Sequence, residues 1–245
     1  MVSVLLRQVN QFTQRNTFST LLRGLVLLGL IPIAQANYLL FHGLVELYSV
    51  VIAYSIFILA WNSQKFQKNG YLLFLGITYL FIGAFDVVHT LAYKGMGVFP
   101  QYDANLPTQL WIASRYVAGL AFVVAPTYLN RPVKARTVVL AGLASFMLIL
   151  LAIFEGFFPA AYIEGAGLTP FKIYSEYVIV GFFLLAGVQL YRRREAFEPD
   201  VIRNLLFSLV FNIVAELAFT QYVSVYGPAN MLGHLFKVLA YYYLY

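Results

Sequence analysis

Eight apolar runs, each close to the length of a membrane-crossing helix, divide the 245-residue sequence. Crossing the hydrocarbon core takes about 20 helical residues, and within lipid every backbone polar group must be satisfied inside the segment. The runs cover residues 20–36, 38–61, 71–93, 108–129, 138–157, 171–191, 201–223 and 229–245. The expected fold is therefore an all-α integral membrane bundle of about eight transmembrane helices. Composition agrees: 61% of residues are apolar and 11% charged, where soluble domains sit near 45–50% and about 25%. A water-soluble globule and a disordered chain are both excluded. Arg23 and Pro32 shorten the first run, but no small-residue cleavage site follows it, so it reads as a span and not as a signal peptide. Residues 1–19 are expected to form a cytoplasmic segment ahead of a membrane domain over 20–245.

Thr169 before Pro170 suits an N-cap and first helical position, and Pro199 and Pro228 can open helices in the same way. The connections near 94–107 and 156–170 are long and rich in Gly and Pro. Cytoplasmic loops carry an excess of Lys and Arg near the membrane. With alternating connections, Arg7, Arg15, Arg23, Lys65, Lys68, Arg131, Lys134, Arg136, Arg192, Arg193, Arg194 and Arg203 fall on one side, and Lys94 and Lys172 on the other. This partition places both termini in the cytoplasm and requires an even number of spans. It also accounts for the net charge of +6 as topology signals, with no role for nucleic acid. The chain has no cysteine, so a metal would take nitrogen and oxygen ligands.

Ionisable side chains within a bilayer are costly and generally face a bundle interior. Nine fall inside the runs: His42, Glu46, Asp86, His89, Arg115, Glu176, Glu216, His234 and Lys237. His42 with Glu46 is an i, i+4 pair, and Asp86 with His89 and His234 with Lys237 are i, i+3 pairs, so each pair shares a helical face. At about 1.5 Å of rise per residue, all nine lie in the outer half of their spans. Ser208, Asn212, Glu216 and Thr220 form an i+4 stripe that should face inward. The expectation is one polar cavity near the extracytoplasmic face. It would hold a small ligand or a divalent transition metal (Zn, Fe, Mn or Cu), with ligands drawn from His42, His89, His234, Glu46, Asp86 and Glu216. Plainer readings accompany it. His42 and His89 suit hydrogen-bonded interface histidines; Arg115 and Lys237 suit counter-ions. Glu176 suits an exposed rim pair with Lys172, and the tyrosines, Tyr241 to Tyr243 included, suit interface anchors and packing groups.

Several stretches resemble the third class of bacterial and archaeal membrane-associated sensor domains. They are FHGLVELYSVVIAYSIFILAWNS from Phe41, FDVVHTLAYKGMGVF from Phe85, TQLWIASRY from Thr108, LTPFKIYSEY from Leu168 and AELAFTQYVSVYGPANMLGHLFK from Ala215. The similarity runs from about Tyr38 to the end. It implies a multi-pass input module of the cytoplasmic membrane that precedes, in cis, a histidine kinase, diguanylate cyclase or phosphodiesterase domain. The sequence through Tyr245 is accordingly expected to be the sensor portion of a longer polypeptide, non-enzymatic in itself, with a homodimer among its assemblies. The resembling stretches contain His42, Glu46, Asp86, His89, Arg115, Lys172, Glu176, Glu216, His234 and Lys237, the ligand-binding set expected here. Two other classes were weighed against sensing. A metal-dependent intramembrane hydrolase lacks an HExxH-type signature, and a non-covalent haem protein would use His42 and His89 as axial partners.

Overall fold

The computed structural model describes residues 24–66, 69–221 and 225–245. Arg7, Arg15, Arg23, Lys68, the 1–19 segment and the start of the first expected span lie outside the described residues. The chain divides into an N-terminal unit ending at Phe41 and a larger unit, His42–Tyr245. The N-terminal unit contains helix α1, Gly24–Ala36, and the opening turn of α2, where the Asn37 side chain accepts from the Leu40 amide.

The remaining helices are α2 Tyr38–Ser63, α3 Tyr71–Ala92, α4 Asn105–Val124, α5 Ala135–Phe154, α6 Pro170–Arg192, α7 Pro199–Phe219 and α8 Pro228–Leu244. The protein is thus an all-α membrane bundle. Helices α2 to α7 are long and apolar enough to cross a membrane, α4 with the 3-10 turn that extends it to Tyr128. Pro126 tightens that last turn because it removes a backbone donor. Helix α8 has 17 residues, about 25 Å at helical rise, and carries two of the buried ionisable groups.

The expected helix starts hold. The Thr169 hydroxyl accepts from the Lys172 amide with Pro170 in the first turn of α6, and Pro199 and Pro228 open α7 and α8. Helix α7 ends at Phe219, four residues before the expected boundary. The 156–170 connection contains a short antiparallel ladder, β1 Tyr162–Ile163 with β2 Gly167–Leu168. Gly165 and Gly167 adopt positive φ there, a conformation that glycine tolerates. Asn105 accepts from the Ala161 and Tyr162 amides, and Gln109 donates to the Phe158 and Pro159 carbonyls. The connection is thereby fastened to α4.

Small residues allow close helix approach where lipid supplies no hydrophobic drive for association. A Cβ at Gly76 of α3 would fall 2.4 Å from Ala60 Cβ of α2, and one at Gly233 of α8 would fall 2.4 Å from the Phe219 ring of α7. Among the described residues, α5 buries only Ile153. Its other apolar side chains are left to lipid or lie partly against α3 and α4, where Phe146 meets Phe85 edge-on. The ionisable residues come from the six other helices of the larger unit.

Candidate functional site

The ionisable residues sit near the starts of α2 and α6, near the ends of α3 and α7, and midway along α4 and the shorter α8. Alternating helix direction therefore brings them to one end of the bundle, the end carrying the 93–104, 155–169 and 220–227 connections. All ten expected site residues are at most 4% exposed.

Burial of charge on this scale requires internal pairing, and the pairs divide into two neighbourhoods. In the first, Lys237 Nζ lies 2.6 Å from Glu46 Oε2 and 3.5 Å from Asp86 Oδ2. Asp86 is further committed: Ser114 donates to Oδ1 at 2.8 Å, Arg115 Nη2 lies 3.1 Å from the same atom, and the Tyr241 hydroxyl donates to Oδ2 at 3.1 Å. Trp111 presents its ring to both cations, 4.8 Å from the Arg115 guanidinium carbon and 4.6 Å from Lys237 Nζ, a favourable use of the ring quadrupole. In the second neighbourhood, Lys172 bonds Glu176 and donates to the Phe219 carbonyl at 2.8 Å. The Glu216 carboxyl is buried beside Glu176, and Oε2 of each has no hydrogen-bond partner among the described residues.

The three histidines gather beside the first neighbourhood. His42 Nε2 lies 3.3 Å from His89 Nε2, and the His42 ring stacks on Tyr93 at 3.5 Å and meets His234 edge-on at 4.9 Å. Tautomers follow from the partners, since a carbonyl only accepts. His89 Nδ1 lies 2.8 Å from the Pro107 carbonyl and His234 Nδ1 lies 2.7 Å from the Asn230 carbonyl. Both Nδ1 atoms therefore carry hydrogen, and in the neutral rings both Nε2 atoms present lone pairs. His42 must then donate from Nε2 to His89, which leaves its Nδ1 as a buried acceptor with no hydrogen-bond partner among the described residues. His234 Nε2 meets Glu46 Oε1 at 3.4 Å, and two acceptors in contact call for a proton or a cation between them.

Of the six candidate metal ligands, His42, Glu46 and His234 form one group, with one ligand atom from each within 4.8 Å of the others. His89 stands behind His42. Asp86 is occupied by Ser114, Arg115 and Tyr241, and Glu216 is held against Glu176. A narrow cavity lined by His89 and His234, with Tyr93, Thr108, Trp111 and Lys172 among others, reaches the edge of this group but is not lined by His42 or Glu46. Its volume, about 20 Å³, is room for one or two waters.

One reading is corrected. Lys172 and Glu176 do not form an exposed rim pair: both are fully buried, because the end of α7 covers them and supplies the Phe219 carbonyl. Of the two roles expected for the tyrosines, Tyr241 takes the interior one, and it is in addition a hydrogen-bonding partner of Asp86 and Arg115. Of the residues that sequence reasoning missed, Trp111, Ser114 and Asn230, the first and last carried a spacing signal. Trp111 and Asn230 precede Arg115 and His234 by four residues, and Tyr241 follows Lys237 by four, so each shares a face with a buried ion. The expected inward stripe on α7 is found, with Ser208, Asn212, Glu216 and Thr220 all buried.

At the loop end, outside the spans, Lys94 bridges Glu164 and the Tyr226 hydroxyl donates to the Lys94 carbonyl. The Glu164 hydrogen bond holds the Lys94 ammonium above its ordinary value, and burial pushes the Tyr226 hydroxyl up. A raised Lys value means that the bridge contributes fully at neutral pH and is lost only as pH rises through that value.

Four carboxylates, two lysines and an arginine are thus buried together with three histidines in a bundle of apolar helices. The profile of the MASE3 membrane-associated sensor domain matches residues 33–245. The chain belongs to the MASE3 family. The match covers all ten site residues, so the buried cluster lies within the MASE3 domain itself. Comparison with curated proteins and with solved structures gives no match.

Proposed function

We propose that this MASE3 domain senses a divalent transition-metal ion, bound by His42, Glu46 and His234 near the extracytoplasmic face, and passes the change along α8 to a C-terminal signalling domain in cis. The observation that carries this reading is the histidine wiring. A metal-ligating histidine usually donates its other ring N–H to a carbonyl or similar acceptor, and His234 does so to Asn230. His42 donates to His89, which is itself fixed by Pro107, so the lone pair left on His42 is Nδ1. Two imidazoles and a carboxylate suit Zn, Fe, Mn or Cu. Space supports an ion over a larger ligand, because the cavity beside His234 admits only one or two waters. The direct His42–His89 contact supports a small ion over haem, since axial nitrogens with bonds of about 2 Å each stand roughly 4 Å apart. The extracytoplasmic placement rests on charge: Lys65, Arg131, Lys134, Arg136, Arg192 to Arg194 and Arg203 cluster at the opposite end of the bundle.

A ligand shifts a conformational equilibrium only through differential affinity. Ligand atoms spread within 4.8 Å would have to approach the edge of a tetrahedral site, about 3.3 Å for bonds near 2.0–2.1 Å. Binding thus favours a state in which α2 and α8 are drawn together at this end. The test is metal analysis of the chain purified in nanodiscs after incubation with Zn²⁺. One equivalent is expected, lost when His42→Ala is combined with His234→Ala. Unchanged stoichiometry in the double variant would refute the assignment.

A further inference from the structure

The Lys237 ammonium holds Glu46 Oε2 at 2.6 Å, while Oε1, 3.4 Å from His234 Nε2, has no hydrogen-bond partner among the described residues, so a metal at Oε1 would share one carboxylate with Lys237. The same Nζ stands 3.5 Å from Asp86 Oδ2, so one lysine on α8 bridges a carboxylate of α2 and a carboxylate of α3. A dication drawn to Glu46 and His234 would stand beside that ammonium in a region closed to bulk water, where repulsion between like charges is weakly screened. Withdrawal into solvent is blocked: Lys237 is 1% exposed and the Trp111 and Tyr241 rings lie 4.6 and 5.7 Å from Nζ. Asp86 is the acceptor within reach.

We propose that Lys237 is a tethered competitor for the metal site, holding Glu46 when no ion is bound and transferring to Asp86 when a divalent cation takes Glu46. This rests on the metal reading above and assigns to Lys237 the setting of the affinity threshold. The ion must displace an internal cation, so the site responds at higher metal concentration than its donors alone would set. The transfer also changes what α8 is tied to. Metal ligation by His234 pulls one turn of α8 toward α2, while Lys237, three residues on, exchanges α2 for α3, so the helix is reseated at two adjacent points.

Zn²⁺ affinity of the full chain in nanodiscs, measured at one pH by competition with a chromophoric chelator, tests this. Removing the competitor in Lys237→Met is expected to tighten Zn²⁺ binding by at least tenfold, and Lys237→Gln, which keeps a polar group for packing, should tighten it as well. Lys237→Arg should weaken binding, because a guanidinium engages a carboxylate through two parallel hydrogen bonds. A lysine with a purely structural role would give weaker or unchanged binding in all three, and that result overturns the proposal. If the unaltered chain and all variants bind no Zn²⁺, Mn²⁺, Co²⁺ or Cu²⁺, the metal reading itself fails and the competitor role falls with it. Wild-type binding that the variants leave unmoved overturns only the competitor role.

Discussion

Buried Asp86 is the most heavily partnered residue of the cluster, with Ser114, Arg115, Tyr241 and Lys237 all directed at its two oxygens. Such an arrangement is stable as a whole but unforgiving of single deletions, because removing one member of a buried ion pair leaves the other charge uncompensated. Arg115→Met is expected to cost about 3–5 kcal/mol, seen as lowered thermal unfolding of the detergent-solubilised chain. Combining it with Asp86→Leu should return at least about 1 kcal/mol of that loss, since coupled neighbours are non-additive by roughly 0.5–3 kcal/mol. Strict additivity of the two substitutions would mean that the pair is not energetically coupled. At this scale sequence reasoning singled out the ions that the structure buries, for a reason that holds generally: an ion in an apolar helix must find a partner inside the bundle. It could not say which partner. Glu216 and Asp86 look alike in sequence, yet one is buried beside another carboxyl and the other is surrounded by donors.

The helices themselves were largely written in local sequence. Apolar runs fixed their existence, and Thr169, Pro170, Pro199 and Pro228 fixed three of their starts. What local sequence did not reveal were features set by neighbours: the early end of α7, the 3-10 tail of α4, and a ladder of two-residue strands too short to show alternation. Close approach of α2 and α3 at Gly76 is a property of this same scale. Gly76→Val would press against Ala60 and the Ile56 carbonyl and is expected to destabilise by about 1–3 kcal/mol, the usual range for overpacking. Gly181→Ala serves as the control, because nothing lies within 4 Å of its added Cβ. It should be neutral or stabilise by up to about 1 kcal/mol. Equal effects of the two substitutions on thermal unfolding would show that the α2–α3 approach does not depend on Gly76.

Across the whole molecule, orientation decides whether the site looks outward or into the cell. The absence of cysteine allows single introduced thiols to be read without background. Glu164→Cys, in the connection that carries Lys94's partner, should react with a membrane-impermeant maleimide in intact cells. Lys134→Cys, among the basic residues of the opposite end, should react only after permeabilisation. The reverse pattern would place the histidine cluster at the cytoplasmic end and defeat extracytoplasmic sensing. Composition and the spacing of apolar runs by themselves determined a helical membrane bundle with its ionisable groups in one stratum, because lipid penalises every unsatisfied polar group locally. Which helices lie side by side was decided only in three dimensions. The joining of His42 to His89 and His234, of Glu46 to Lys237, and of Glu176 to Glu216 depends on lateral packing between segments far apart in the chain, and helical periodicity carries no information about that.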